Sequence, residues 1–319
     1  MNKKTKYFRN ALTIAVLILA ISAINASAAT FTVTNTNDSG AGSLRQAVLD
    51  ANAAASADTI VFDASFNTPR TITLLTTIEI SINANTSDTL TITGPGANLL
   101  TVSGNNATQL FRTIAGDTTS FSAMTMTGGN GVRFGSATNG GAIVSDGTLT
   151  LTNMVFTGNT SPVSGGAVSN ATDQVTAGSG VLNVVGCTFT NNTTTGTGIN
   201  GTGGSAIHSR SGVVTINNST FTGGTTLGGG GGLRFESGVI TMTNSTVSNN
   251  TSGGAGNSSG GGGIFNFGEL TLTNSTVSNN TANGDTLGGG IRNVFRLTLN
   301  NSIVTGNTAT RGGGGIHAV

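Results

Sequence analysis

The sequence predicts an all-β protein that winds as a right-handed parallel β-helix with three strands per coil. Three observations support this fold class. A polar phrase rich in Thr and Asn recurs every 26 to 33 residues over the second half of the chain, and a glycine pair or run stands ahead of each copy. Within the copies, apolar and polar residues alternate with the two-residue period of a strand. Repeats of this length are typical of solenoids.

Alternation places the side chains of each copy on two faces. In the stretch LTLTN, Leu270 and Leu272 share one face while Thr271 and Thr273 share the other. Such a unit cannot bury its apolar face alone, so the units are expected to coil onto one another around a narrow core. The helix should be right-handed because parallel crossover connections almost always are. The copies are LTLTNMVFTGN (149–159), LNVVGCTFTNN (182–192), VTINNSTFTGG (214–224), ITMTNSTVSNN (240–250), LTLTNSTVSNN (270–280) and LTLNNSIVTGN (297–307).

Stacked coils place each residue about 4.8 Å from its counterpart in the next coil, so that like residues form columns. Because Asn side chains donate and accept hydrogen bonds at once, two Asn columns predict structural ladders. Cys187 follows Met154 in a third column and is interpreted as a small core residue. The first Asn column contains Asn153, Asn218, Asn244, Asn274 and Asn301, and the second contains Asn159, Asn192, Asn250, Asn280 and Asn307.

The first residues predict a secretory signal peptide over residues 1–28. A basic segment precedes the apolar run ALTIAVLILAISAI and the small-residue stretch NASAA, and cleavage is expected after Ala28. The mature chain then carries nine arginines and twelve acidic residues, a net charge of −3. We expect a secreted or cell-surface bacterial protein without a membrane span. Nucleic acid is not expected as a partner, because its phosphates require many cationic contacts.

The mature chain is expected to fold as one domain with three parts. Residues 29–66 should cap the N-terminal end of the core with a strand, a helix over residues 43–54 and a second strand. Ser43 and Gln46 form a capping box at the start of this helix. Residues 67–139 predict irregular early coils, and residues 140–319 predict regular coils that end mid-coil. The uncovered strand edge there is expected to belong to a fragment or to meet a capping partner.

Two sets of motifs resemble known families. GGAI (140–143) and GGAV (165–168), paired with F-x-x-N at 156–159 and 189–192, resemble the repeats of chlamydial polymorphic outer membrane proteins. The stretch GSLRQA (42–47) is similar to the CSLREA capping segment of exported bacterial β-helix proteins. The resemblance implies a right-handed β-helix of the autotransporter-passenger type, used in adhesion at the cell surface or outer membrane.

Residues that could perform catalysis or bind metal are sparse. The acids of residues 140–319 fall in different columns and so offer no carboxylate pair for glycoside hydrolysis. Asp58 and Asp63 flank an apolar strand and are interpreted as a solvated edge. His208 and His317 lie four coils apart, so no shared metal ion is expected, and no cofactor either. We expect a protein that is not an enzyme, with a polysaccharide lyase or hydrolase as the alternative. The acids compared are Asp146, Asp173, Glu236, Glu269 and Asp285.

The candidate binding site is a column that follows the apolar residue of each glycine motif. If the apolar residue points into the core, the next side chain points outward. Cations beside aromatic rings there would suit an acidic sugar or a protein ligand. The alternative is a set of solubilising charges with incidental Phe residues. The column contains His208, Arg234, Phe265, Arg292 and His317, with Arg210 and Phe267 two residues further along.

Outward T-x-T pairs form a second surface pattern, similar to the arrays of β-helical ice-binding proteins. Asn183 and Val185 interrupt the array, and Asn217 and Asn300 each replace a Thr. Thr is favoured on half-exposed strands in any case. Ice binding is therefore a second alternative. The first expectation is a non-catalytic protein for adhesion or extracellular matrix or ligand binding, with glycans or cell-surface proteins as partners. The pairs are Thr125 with Thr127, Thr150 with Thr152, Thr241 with Thr243 and Thr271 with Thr273.

Overall fold

The computed structural model describes residues 28–54, 56–82, 88–131, 140–171, 180–196, 203–254 and 260–319. These residues form a β-solenoid of about eight turns, and every pairing between their strands is parallel. The predicted fold class is confirmed. The predicted signal peptide lies outside the described residues, apart from Ala28. Over the described ranges, no helix is long and apolar enough to cross a membrane.

Sheet A contains the LTLTN stretches and has ten strands. Its inward residues form apolar columns, such as Leu149 beside Leu182 and Leu270 beside Leu297. The strands are Thr30–Val33, Asp58–Phe62, Thr89–Thr93, Thr118–Ser122, Thr148–Thr152, Val181–Val185, Val213–Asn217, Val239–Thr243, Glu269–Thr273 and Arg296–Asn300.

Sheet B follows sheet A in each coil and has nine strands. Its inward face carries three stacked Phe rings, those of Phe156, Phe189 and Phe221. Successive ring centroids lie 4.6 and 4.9 Å apart. The strands are Arg70–Thr73, Leu100–Ser103, Thr125–Thr127, Val155–Thr157, Thr188–Thr190, Thr220–Thr222, Thr246–Ser248, Thr276–Ser278 and Ile303–Thr305.

Sheet C follows the glycine motifs and also has nine strands. The glycines let the chain turn closely against the next coil. Gly261 has a φ of +65°, and a Cβ at Gly262 would come within 2.3 Å of the Gly289 carbonyl oxygen. The strands are Ile78–Ile80, Phe111–Thr113, Ile143–Ser145, Val168–Asn170, Ile207–Ser209, Leu233–Phe235, Ile264–Asn266, Ile291–Asn293 and Ile316–Ala318.

A short sheet D of six strands adds a fourth side to the later coils. The three predicted strands per coil are present, and the fourth was not foreseen because most of its strands are only two residues long. They follow the turn that ends each sheet B strand. The strands are Thr160–Ser161, Thr193–Thr194, Thr225–Thr226, Thr251–Ser252, Thr281–Leu287 and Thr308–Arg311.

One α-helix, Leu44–Ala53, lies over the first coils within the described part of the chain. Its N-cap Ser43 accepts a hydrogen bond from the Gln46 backbone N–H at 3.1 Å, which is one half of the predicted capping box. The other half is not formed, because the Ser43 backbone N–H donates to the Gly40 carbonyl and the Gln46 Nε2 donates to the Asp50 Oδ1 at 2.8 Å. The apolar face of the helix joins the core. A short 3-10 helix, Ala64–Phe66, follows the second strand.

The second Asn column is a buried ladder, as predicted. The Asn159 Nδ2 donates to the Asn192 Oδ1 at 3.0 Å, and the Asn250 Nδ2 donates to the Asn280 Oδ1 at 3.0 Å. Gly224 interrupts the column, and its backbone N–H donates to the Asn250 Oδ1 at 2.9 Å instead. This polar column is therefore part of the core.

The first Asn column is not a ladder, and this part of the prediction is wrong. Its members are exposed and have φ between +47° and +53°, and no side-chain hydrogen bond joins them within the described ranges. They occupy the corner between sheets A and B, where a left-handed backbone is required. Asn tolerates this conformation better than most residues. The five residues are Asn153, Asn218, Asn244, Asn274 and Asn301.

Cys187 is a buried core residue, as predicted. Burial is the largest influence on its thiol and raises the pKa to about 11, because the thiolate would lose its hydration. We expect Cys187 to resist a thiol reagent at neutral pH while the protein is folded and to react once it is unfolded. Mass spectrometry of labelled samples measures this, and rapid complete labelling of the folded protein would contradict it.

Candidate functional site

Sheet C brings the predicted binding column together in register. His208 pairs with Arg234, and Arg234 pairs with Phe265. Phe265 pairs with Arg292, which in turn pairs with His317 in the last strand. The prediction that these residues stack on consecutive coils is confirmed.

The predicted exposure of this column is wrong. His208 and Phe265 are 0 % exposed, Arg234 is 4 % and Arg292 is 6 % exposed. Side chains this well buried form no open binding surface. One reason is the neighbouring glycine backbone: a Cβ at Gly229 would lie 2.2 Å from the Phe265 ring, so only glycine leaves room for the ring.

Glu236 is the centre of the buried cluster. Its Oε1 lies 3.0 Å from the His208 Nε2 and 3.4 Å from the Arg234 Nε. Its Oε2 lies 3.5 Å from the Arg210 Nε. The Glu236 side chain is 21 % exposed, so one carboxylate near the surface is shared by three basic side chains.

The pKa values of Glu236 and His208 depend on burial and on the contacts that the Glu236 carboxylate makes. Burial would raise the pKa of Glu236, but the His208 hydrogen bond and the nearby basic groups outweigh it and lower the pKa to about 2. Burial is the largest influence on His208 and lowers its pKa, with Glu236 opposing only in part. At neutral pH we therefore assign an ionised Glu236 and an uncharged His208 imidazole.

Aromatic rings complete the cluster. The Arg234 guanidinium lies 4.9 Å from the centroid of the Phe265 ring and 5.6 Å from that of Phe267. The Arg292 guanidinium lies 5.0 Å from the same Phe265 ring. Phe265 thus separates two buried cations and interacts favourably with both.

The cluster is closed sterically, although the His208 Nδ1 and the Arg234 Nη1 are buried without a hydrogen-bond partner among the described residues. Its one carboxylate already contacts three basic groups, and two of its cations lie over aromatic rings. Arg210, Phe267 and His317 are only partly buried and form its rim. The burial of Arg234 leaves it out of reach of a ligand on the surface of sheet C.

No protein-family model matches the chain, and no curated protein matches it significantly. Among the residues that the structure describes, no group of three or more His, Cys, Asp or Glu could hold a metal ion.

The acidic residues near the N-terminal cap differ from the prediction. Asp63 caps the 3-10 helix by accepting from the Ser65 backbone N–H at 2.9 Å. Asp58 is only 2 % exposed, so its assignment to a solvated edge is wrong. Asp117, which the sequence comparison did not consider, is also buried, and burial raises its pKa to about 6.

Sheet C also contains an inner polar column that the sequence analysis missed. The Thr113 Oγ1 donates to the Ser145 Oγ at 3.0 Å. The Asn170 Nδ2 donates to the Ser209 Oγ at 3.0 Å, and further along the column Asn266 binds Asn293. The signal was a polar residue two places after the apolar residue in most of the glycine motifs, with Phe235 and Ala318 as the exceptions. These pairs satisfy buried polar groups.

Sheet B presents the most regular outward surface. Two files of side chains two residues apart run along its nine strands, without a register shift. Val155 and Ile303 interrupt the first file, whose other members are Thr71, Thr101, Thr125, Thr188, Thr220, Thr246 and Thr276. Every member of the second file carries a hydroxyl: Thr73, Ser103, Thr127, Thr157, Thr190, Thr222, Ser248, Ser278 and Thr305.

The predicted T-x-T pairs belong to two different sheets. Thr125 and Thr127 lie in sheet B, whereas the pairs at Thr150, Thr241 and Thr271 lie in sheet A. As predicted, sheet A is interrupted at Asn183 and Val185, and Asn217 and Asn300 each stand where a Thr is expected. The file that carries a hydroxyl on every strand is the second file of sheet B, and it was not predicted because Ser replaces Thr at Ser103, Ser248 and Ser278.

Proposed function

We propose that the protein is a non-catalytic exported β-helix that binds an extended extracellular ligand through the outer face of sheet B. The observation that supports this proposal is a pair of outward files on nine consecutive strands, one with a hydroxyl on every strand and the other interrupted only at Val155 and Ile303. The expected export rests on the N-terminal pattern of the sequence. The proposal keeps the expected role in adhesion or matrix binding but moves the binding surface away from the buried cluster.

A neutral polysaccharide of a cell surface or matrix fits this face best. Hydroxyl groups donate and accept hydrogen bonds, as sugar hydroxyls do. Neighbouring strands of sheet B lie ~4.8 Å apart, so a periodic polymer lying along the files could make the same weak contact many times. Repeated weak contacts add up through effective concentration. The sheet B files contain no charged residue, so an acidic sugar gains nothing from them.

Ice is a second candidate for the same face. Threonine presents a methyl and a hydroxyl together, and the two files fix these groups on a grid of ~4.8 Å by ~6.6 Å. A rigid grid of this kind can order water molecules at fixed spacings. The regular register of sheet B favours this candidate, whereas the interrupted sheet A does not.

Bulky substitutions in the middle of sheet B test the proposal. We expect Thr190→Tyr and Thr222→Tyr to weaken binding about tenfold or more, because each ring keeps the ligand from contacting the neighbouring strands of sheet B. Co-sedimentation with insoluble neutral polysaccharides measures this binding, and partition into growing ice measures the second candidate. Thr241→Tyr and Thr271→Tyr in sheet A are the matched controls.

The outcomes separate the candidates. Loss of polysaccharide binding only in the sheet B variants supports the first, and loss of ice partition only in those variants supports the second. Equal losses in sheets A and B would exclude this face as the binding site. Release of unsaturated or reducing sugars by the wild-type protein would contradict the non-catalytic proposal and favour the lyase or hydrolase alternative.

A further inference from the structure

The first strand begins beside a buried carboxylate that lacks a full set of partners. The Ala29 backbone nitrogen donates to the Asp58 Oδ1 at 2.9 Å, and the Ser56 Oγ donates to the same oxygen at 2.6 Å. Asp58 is 2 % exposed, and its Oδ2 has no hydrogen-bond partner among the described residues. A buried carboxylate is costly unless a cation or further donors compensate for its lost hydration.

Ala29 is also the residue that becomes the first of the chain if the signal peptide is removed where the sequence predicts. The small residues Ala26 and Ala28 flank Ser27 in the pattern that precedes such cleavage sites. Hydrolysis of the Ala28–Ala29 bond by a signal peptidase consumes one water. It leaves a carboxylate on Ala28 and an amine on Ala29, and this amine is protonated at neutral pH.

We propose that Asp58 is the receptor for the α-ammonium group of the processed chain. The ammonium has three N–H donors where the uncut chain has a single amide N–H. One can keep the contact with the Asp58 Oδ1 while another serves the unpartnered Oδ2. The new positive charge also compensates the buried carboxylate, which the uncharged amide cannot do.

The surrounding backbone holds the nitrogen in place. The Ala29 carbonyl accepts a hydrogen bond from the Thr59 backbone N–H at 2.9 Å. The strand pairing then continues with Thr30 beside Thr59 and Phe31 beside Ile60. Ala29 is thus fixed at its carbonyl side, and its nitrogen points to Asp58. Removal of the signal peptide would lock the first strand onto the solenoid.

This inference rests on cleavage after Ala28 and does not depend on the sheet B face, so the two proposals fail separately. The test compares residues 29–319 bearing a free Ala29 amine with the same chain preceded by Gly-Ser. The extension restores an amide at this nitrogen and changes no buried side chain. Both chains are released from a fusion partner, and each is also made with Asp58→Asn.

Hydrogen exchange of the peptide covering residues 29–35 is the measurement. We expect the extension to speed exchange in this strand about a hundredfold, because it removes one member of a buried ion pair. Peptides from Glu269–Thr273 should be unchanged and provide the internal reference. In the Asp58→Asn background, the extended and free chains should exchange alike.

Two results would overturn the proposal. One is equal exchange of the free and extended chains with Asp58 present, a comparison that remains decisive even if Asp58→Asn does not fold. The other is a mature exported protein whose first residue, read by mass spectrometry, is not Ala29.

Discussion

Replacing Asn280 by Ala is expected to lower the free energy of unfolding by about 2–4 kcal/mol, because the ladder loses its central member. The Asn280 Nδ2 donates to the Val247 carbonyl and to the Asn307 Oδ1, both at 2.9 Å. Its Oδ1 accepts from the backbone N–H and the Nδ2 of Asn250, both at 3.0 Å. The substitution leaves the buried Asn250 backbone N–H without its acceptor, and an unpaired buried group costs more than the hydrogen bond contributed.

The neighbouring Asn279 supplies a matched control. It is exposed and has a φ of +54°, so Asn279→Gly keeps the turn and breaks no buried hydrogen bond. We expect a change within about 0.5 kcal/mol for this variant. Denaturant unfolding measures both effects. Equal destabilisation by the two substitutions would show that the ladder adds nothing beyond the turn.

The contrast between these adjacent residues shows what the sequence could and could not predict. The two-residue alternation and the repeat predict which residues stack in the same column. The strand register confirms this stacking for both Asn columns. In an Asn-Asn pair such as Asn279 and Asn280, the first residue takes the left-handed conformation of the corner, and the second residue then points into the core. Asn279 and Asn244 each occupy such a corner. Asn279 was not predicted as a ladder residue, whereas the column of Asn244 was, because the repeat alone did not distinguish a corner from a ladder.

The buried cluster of sheet C shows a second limit. Alternation correctly placed His208 and Arg234 opposite the core residues Ile207 and Leu233. Alternation cannot tell whether the outer face of a strand is open. The glycine runs were the available signal, because a backbone without side chains can approach an aromatic ring as Gly229 approaches Phe265.

The central carboxylate of this cluster could have been found from the sequence. Arg210 and Phe267 were placed two residues beyond the column, and Glu236 occupies the same position in the coil between them. The register bears this out, since the Glu236 backbone N–H donates to the Ser209 carbonyl. A lone carboxylate among cations is not a carboxylate pair, so Glu236 did not stand out as a catalytic acid in the sequence.

Glu236→Gln is expected to lower the free energy of unfolding by about 3 kcal/mol at neutral pH. The substitution keeps the shape of the side chain but removes the negative charge from beside Arg234 and Arg210. Arg234 is 4 % exposed, so water cannot replace the lost partner without opening sheet C. Breaking a buried ion pair by removing one member leaves an uncompensated charge.

The same substitution at Glu269 is the matched control. Glu269 and Arg296 lie 3.8 Å apart, but their side chains are 46 % and 71 % exposed. Exposed ion pairs contribute roughly 0–1 kcal/mol, so Glu269→Gln should be nearly neutral. Chemical denaturation of both variants tests the difference, and a similar loss at both positions would contradict a special role for Glu236.

The pH dependence of the Glu236→Gln effect tests the charge itself. The pKa of Glu236 falls from 4.5 to about 2 in the folded protein, despite the opposing effect of burial, because His208, Arg234 and Arg210 favour the carboxylate. Its contribution to stability is therefore full above pH 4.5 and is lost as the pH falls toward about 2. The Gln variant has no such group, so the stability difference between the two chains should shrink over this range. A difference that stays constant from neutral pH to about pH 3 would mean that packing, and not charge, accounts for the effect.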